Sequence, residues 1–155
     1  MSHLTITSEE ITQKTIDRFW ETVPPVWNRI RANIHLIITN HFDITVEQFH
    51  ILRQIRRGVA SVSELADLQQ ISRSGMSQAV DILVEKGLIG RHEDPKDRRY
   101  VQLELTRKGN ELLNAIFERN RAWMAGELSG LDSTEMDSII NGMEALKKSF
   151  IPADR

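Results

Sequence analysis

The chain has 155 residues, a length typical of one domain, and 40% of them are hydrophobic, enough for a buried core. It contains no cysteine, so disulfides, thiolate metal sites and thiol-based peroxide sensing are excluded. No apolar run approaches the roughly 18 residues that span a bilayer, and no basic segment precedes a hydrophobic one at the N-terminus, so we expect a soluble cytoplasmic protein with no membrane partner.

The charges are distributed unevenly, although the formal net charge is only −2. Residues 45–108 carry 11 Lys/Arg against 9 Asp/Glu, whereas the rest of the chain carries 9 against 13. A slightly positive middle between negative flanks favours local contacts with a nucleic acid and a different task for the remaining surface.

Helical spacing predicts two helices within residues 1–44. The first has the apolar residues Ile16, Phe19, Trp20 and Val23. Pro24-Pro25 should stop or kink it, because proline lacks the backbone N–H and clashes with the preceding turn. The second helix then restarts and ends at His41-Phe42-Asp43, with the apolar stripe Trp27, Ile30, Ile34, Ile37 and Ile38.

A third helix is predicted from about Thr45 to Arg56-Arg57-Gly58, where cations meet the C-terminal dipole and glycine follows. Its apolar residues are Val46, Phe49, Ile51, Leu52 and Ile55. The cations Arg53, Arg56 and Arg57 either complement this dipole or add phosphate contacts, and the sequence leaves both interpretations open.

Two short helices with a tight turn come next. Ser61 and Glu64 have the spacing of a capping box, which predicts a helix start with Leu65, Ala66 and Leu68 directed inward. Gln69-Gln70-Ile71 forms the turn, and Ser72 is placed to cap the second helix. Five residues of that helix recur on one face at helical spacing: Met76, Ala79, Val80, Leu83 and Val84.

The opposite face of this second helix is polar in its first turns. A helix inserted into the major groove meets base edges there, so short polar donors and acceptors favour DNA contact over simple capping. The candidate contact residues are Ser72, Arg73, Ser74, Ser77 and Gln78.

A strand pair with a charged tip is predicted after this helix. Leu88 to His92 forms one strand, and Glu93-Asp94-Pro95-Lys96-Asp97 has the composition of a hairpin tip. In the second strand Val101, Leu103 and Leu105 alternate with polar residues, so we expect these three to be buried. The cluster Asp97, Arg98 and Arg99 would place cations at the DNA minor groove, although exposed ion pairs also occur in turns without any such function.

The C-terminal segment predicts two further helices. Thr106 caps the first, with an apolar face of Leu112, Leu113, Ile116, Phe117, Trp123, Met124 and Leu128. Gly130-Leu131-Asp132 ends it, and Asp132 with Glu135 caps the second, whose stripe is Met136, Ile139, Ile140, Met143, Leu146 and Phe150. One small lobe cannot cover all these apolar faces, so a homodimer of interleaved terminal helices is predicted.

These motifs resemble the MarR family of bacterial transcriptional regulators. The wing signature Asp-x-Arg followed by Leu-Thr corresponds to Asp97, Arg99, Leu105 and Thr106, and Lys108-Gly109 continues it. Leu65-Ala66, segment 72–77 and segment 83–89 are similar to the helix-turn-helix and its exit into the wing. The specific motifs cover roughly residues 44–109, and the flanks match by helical pattern.

The resemblance implies a mainly α fold, in which a winged helix-turn-helix with a small β-wing is flanked by N- and C-terminal dimerisation helices. The corresponding segments are 1–44 for dimerisation, 45–106 for DNA binding and 107–155 for dimerisation. Arg99 would enter the minor groove and Asp97 would orient it, with Arg98 as an additional cation. A dimer then binds a pseudo-palindromic double-stranded operator whose half-sites lie about 34 to 36 Å apart.

The same resemblance implies a small aromatic or phenolic acid as effector. Apolar walls and a cation for such a ligand would come from Trp27, Arg31, His35, Phe49 and His50, although Trp27 and Phe49 also belong to stripes that need burial. A histidine and carboxylate cluster offers a second hypothesis, a metal site, but without tight ligand spacing: His35, His41, Asp43, Glu47 and His50. We therefore predict no metal and no cofactor.

Two other functional classes are compatible with parts of the sequence. A winged-helix protein-interaction module would use the basic wing to bind an acidic partner instead of DNA. An enzyme is disfavoured, because the chain has no nucleophile elbow, phosphate-binding glycine loop or paired histidines at metal spacing. We expect a ligand-responsive DNA-binding regulator, most simply a repressor, that is not an enzyme.

Overall fold

A computed structural model describes residues 7–93 and 101–151 of the chain. Its elements are α1 (Ser8–His41), α2 (Val46–Arg56), α3 (Val62–Gln69), α4 (Arg73–Glu85), β1 (Ile89–Glu93), β2 (Val101–Leu105), α5 (Arg107–Leu128) and α6 (Ser133–Phe150). The strands form a two-stranded antiparallel sheet with Ile89 opposite Leu105 and Glu93 opposite Val101. Within the described residues, no helix is long and apolar enough to cross a membrane. The mainly α fold with a small β-wing is confirmed.

The chain divides into two compact units, with the boundary after Asn120. The first contains α1 to β2 and residues 107–120 of α5, and the second contains the rest of α5 and α6. The core of the first unit includes Ile37 and Ile38 from α1 as well as Leu113 and Ile116 from α5. Packing is therefore continuous across positions 44 and 106, and the assignment of the flanking segments to dimerisation stays a prediction.

The predicted stop of the first helix at Pro24-Pro25 is wrong, and so is the restart of a second helix after it. Helix α1 runs through both prolines, from the capping box of Thr7 and Glu10 to Phe42. The two missing N–H groups would have bonded the carbonyls of Trp20 and Glu21, which are exposed residues, so water can satisfy these carbonyls instead.

The other helix ends follow the sequence signals. Thr45, Ser61 and Asp132 each form a complete capping box, and Ser72 Oγ accepts a hydrogen bond from the backbone N–H of Gly75 at 3.1 Å. Gly58 ends α2 with φ +100°, a conformation that favours glycine. These local hydrogen bonds place α3 and α4 on either side of a turn at Gln70, whose φ is 54°.

Two predicted inward side chains are exposed instead. Leu68 is 57% exposed because α3 turns only Leu65 and Ala66 fully into the core. Val101 is 46% exposed because it lies at the end of β2 farthest from α5, whereas Leu103 is 4% exposed and Leu105 half-buried. The alternation along β2 therefore holds only where the strand packs against the core.

Candidate nucleic-acid interface

Helix α4 presents a polar surface from a firmly packed base. Met76, Val80 and Leu83 are fully buried, so the helix cannot rotate about its axis without exposing them. The five predicted contact residues lie in its first two turns and cap, and we call them the reader surface: Ser72, Arg73, Ser74, Ser77 and Gln78. Four of these are exposed and Ser77 is half-buried. The packing thus fixes which side chains a ligand would meet.

The members of the reader surface differ in how free they are to bind a ligand. Ser72 Oγ already caps α4 and lies 3.2 Å from Ser74 Oγ. Arg73 and Gln78 form no hydrogen bond or ion pair within the described part of the chain. We therefore expect the long side chains of Arg73 and Gln78 to contribute more to DNA contact than Ser72.

The wing, which we define as β1 and β2 with their connection, is attached to the unit by backbone contacts at its base. Leu103 N donates to Ala60 O at 2.8 Å, and Thr106 N donates to Leu88 O at 3.1 Å. Thr106 Oγ1 also donates to Gly87 O at 2.6 Å. The strands therefore leave the lobe in a fixed direction. The predicted tip residues Asp97, Arg98 and Arg99 lie outside the described residues.

Gly109 in the first turn of α5 makes this attachment possible. A Cβ atom at this position would lie 2.2 Å from Leu88 O and 3.1 Å from Leu88 C. Only glycine allows the helix to pass so close to the backbone at the start of β1. The Lys108-Gly109 sequence that follows the wing motif thus has a steric explanation.

A cavity of about 530 Å³ lies between α1 and α2. Its walls contain all five residues predicted to bind an effector, namely Trp27, Arg31, His35, Phe49 and His50. Phe49 is 1% exposed and Trp27 is 49% exposed, so the cavity has a closed apolar end and an open one. The spatial grouping of these residues agrees with the prediction, and ligand binding itself stays a proposal.

Arg53 is a further wall residue that the sequence prediction did not include. Its Nε is buried and has no hydrogen-bond partner among the described residues. It lies one helical turn after Phe49 and His50, and that i, i+3 and i, i+4 spacing was the available sequence signal. Arg53 thus adds a second guanidinium group to the cavity wall beside that of Arg31.

The electrostatics of the cavity favour an anion. Burial lowers the pKa of His50, and the nearby Arg53 and Arg31 lower it further. Burial and Arg57 also lower the pKa of Arg53, although an arginine stays charged at any physiological pH. Two guanidinium groups and an imidazole kept neutral thus surround a space that could hold one carboxylate.

The sequence also suggested phosphate contact by Arg56 and a metal site. Arg56 Nη1 donates to Asn114 Oδ1 at 2.8 Å, and its guanidinium lies 4.8 Å from the Phe117 ring centroid. These contacts hold Arg56 against α5, and the phosphate contact suggested for it stays a prediction. In the part of the chain that the structure describes, no group of three His, Asp or Glu side chains is arranged to hold a metal ion.

Comparisons with known proteins agree with this architecture. Residues 42–99 match the family model of the MarR family. The chain is 26% identical over 132 residues to the uncharacterized HTH-type transcriptional regulator YhbI of Bacillus subtilis, covering 84% of this chain and 85% of YhbI. It is 33% identical over 94 residues to the HTH-type transcriptional repressor MdtR of the same organism, covering 60% and 61%. The transcriptional regulator Tm0710 from Thermotoga maritima superposes with a TM-score of 0.78 at 26% identity, covering 86% of this chain and 94% of Tm0710.

Proposed function

Because this chain belongs to the MarR family of DNA-binding transcriptional regulators, we propose that it is a dimeric, effector-responsive repressor of the cytoplasm. One observation carries the proposal: the buried side of α4 holds the reader surface outward, and the wing follows it directly. A major-groove helix and a minor-groove wing could then contact adjacent grooves of one operator half-site. The repressor direction is supported by the name of its relative MdtR.

A homodimer is supported by apolar side chains that a single chain leaves exposed. On α1 these include Ile11, Ile16 and Trp20, which is 67% exposed. On α6 they include Ile140, Met143 and Phe150, exposed by 59%, 58% and 72%. Covering both faces against a second copy removes this surface from water and produces the two-fold symmetry that a pseudo-palindromic operator requires.

The DNA assignment is tested by the salt dependence of binding to a duplex that the protein selects from a random-sequence library. Each lost phosphate contact lowers the slope of log K against log salt by about one unit. We therefore expect Arg99→Ala to weaken binding and to reduce the slope by about one unit per wing. Lys148→Ala on α6 removes a cation far along the sequence from the reader surface and should change neither quantity.

The outcome that contradicts this proposal is equally specific. If the wild-type protein selects no duplex, or binds DNA without salt dependence, the chain is better explained as a winged-helix protein-interaction module. If DNA binding is salt-dependent but Arg99→Ala leaves the slope unchanged, the assignment of Arg99 to the minor groove is wrong.

We also propose that the α1–α2 cavity binds a small aromatic acid. The ring would lie against Trp27 and Phe49, and the carboxylate would accept hydrogen bonds from Arg53 and Arg31. A ligand that favours a lobe spacing incompatible with the operator shifts the population away from DNA. The cavity joins α1, which carries the proposed dimer surface, to α2, which packs in the DNA-binding lobe.

A matched pair of compounds tests this effector class. We expect 2-hydroxybenzoate to bind and to release the selected duplex, and the neutral 2-hydroxybenzamide to do neither. A hydrogen bond to a charged group is worth about 1.5–3 kcal/mol, so Arg53→Met should weaken 2-hydroxybenzoate binding by about tenfold or more in calorimetry. Equal affinity for the acid and the amide, or operator affinity that does not respond to the acid, would exclude this effector class.

A further inference from the structure

An ion pair joins the reader helix to the wing. Arg91 Nη2 lies 2.6 Å from Asp81 Oδ1, with the Arg91 side chain 37% exposed and the Asp81 side chain 50% exposed. Asp81 lies in the third turn of α4, and Arg91 is the middle residue of β1. The pair therefore links the two elements that are proposed to enter adjacent grooves.

The strand alternation shows why Arg91 faces α4. Ile89 and Arg91 lie on the same side of β1, and Ile89 is buried in the core with 2% exposure. His92 lies on the other side, where its Nε2 pairs with Glu104 Oε1 of β2. One face of the wing thus connects its two strands, while the other face connects the wing to the reader helix.

The position of the Asp81 carboxylate is unfavourable for DNA binding, which suggests that Asp81 has another role. DNA carries one negative charge per about 1.7 Å of helix axis, so a carboxylate on the exposed side of α4 repels it. We infer that Asp81 and Arg91 are positioning residues, which fix the angle between α4 and the wing so that both reach their grooves together. This inference rests on the proposed DNA-binding function. It assigns a role in that function to two residues that contact each other and do not contact a base.

The direction in which DNA affinity changes distinguishes a positioning role from a simple effect of charge. Asp81→Asn removes a negative charge, so without a positioning role it should strengthen binding to every duplex. With the positioning role, we expect it to weaken binding to the selected duplex by about threefold to tenfold in a two-lobed dimer, while binding to an unrelated duplex strengthens. Glu85→Gln is the control, since Glu85 lies one turn further along α4 and has no ion pair within the described residues.

Two further variants complete the test. Arg91→Gln should weaken binding to the selected duplex with an unchanged salt slope, because a residue that contacts no phosphate releases no counterion. The double variant with Asp81→Arg and Arg91→Asp keeps the net charge and re-forms the ion pair in the opposite orientation. It should bind the selected duplex more tightly than Asp81→Asn or Arg91→Gln. A gain in affinity for the selected duplex with Asp81→Asn, a lower slope with Arg91→Gln, or no rescue by the double variant would overturn the inference. Failure of the wild type to select any duplex would instead overturn the proposed function, and this inference with it.

Discussion

Replacing Gly109 by alanine should destabilise the protein, although alanine is the better helix former. The added Cβ would lie 2.2 Å from Leu88 O, about 1.2 Å closer than the 3.4 Å at which ordinary contact begins. To relieve this clash, α5 must move away from the start of β1. That movement stretches the hydrogen bonds from Thr106 N to Leu88 O and from Thr106 Oγ1 to Gly87 O, 3.1 and 2.6 Å long.

The expected magnitude follows from opposing contributions. Overpacking costs about 1–3 kcal/mol and weakened hydrogen bonds add about 0.5–1.5 kcal/mol each, while the helix propensity of alanine returns about 1 kcal/mol. We expect a net loss of about 3 kcal/mol in the free energy of unfolding, the sum of the central values. For a chain of this size the corresponding decrease in Tm is about 6–12 °C.

A second glycine in the same helix provides the control. Gly126 has nothing within 4 Å of a Cβ built on it, so Gly126→Ala should raise the free energy of unfolding by about 0.5–1 kcal/mol. Both variants are compared with the wild type by thermal and urea unfolding at one protein concentration, because dimer stability depends on concentration. If Gly109→Ala is as stable as Gly126→Ala, the close approach of α5 to Leu88 is refuted.

Two other predictions concern a helix cap and a histidine. Ser61→Ala should lower the free energy of unfolding by about 1 kcal/mol in urea titrations, since Ser61 Oγ caps α3, whereas Ser63→Ala should have little effect. Burial holds the pKa of His50 below its ordinary 6.5, so the unfolded chain binds the proton at higher pH than the folded chain. The contribution of neutral His50 is therefore complete above about pH 6.5 and is lost as the pH falls through the lowered pKa. His50→Gln should reduce this loss, and equal pH dependence of both proteins between pH 7 and 5 would contradict the reasoning.

The fold was largely predictable because its determinants are local in sequence. Capping at Ser61, Ser72 and Asp132 depends on residues at most three positions apart, and the buried face of α4 follows from helical periodicity. The break expected at Pro24-Pro25 did not occur, because the cost of proline depends on whether the freed carbonyls meet water. That information comes from the surroundings of α1 and is absent from the proline residues themselves.

The candidate sites were predictable to different degrees. The effector residues were chosen by type, and the cavity between α1 and α2 does contain them. Arg53 was missed because a cation near a helix C-terminus already had a local explanation, and only the packing of α1 shows that its Nε is buried. The Asp81–Arg91 pair likewise depends on the approach of β1 to α4, which no single helical or strand pattern contains.

Helix α1 is long and continuous, with two prolines near its middle. Its 34 residues extend about 51 Å, and the paired prolines lie about 25 Å from the end that Ile37 and Ile38 anchor in the core. Two adjacent missing hydrogen bonds make this the most easily bent point of the helix. A bend of about 10° there would displace the anchored end by about 4 Å relative to the N-terminal half of the helix. A small change of angle at the prolines would therefore become a movement of several ångström at the residues that α1 places in the core.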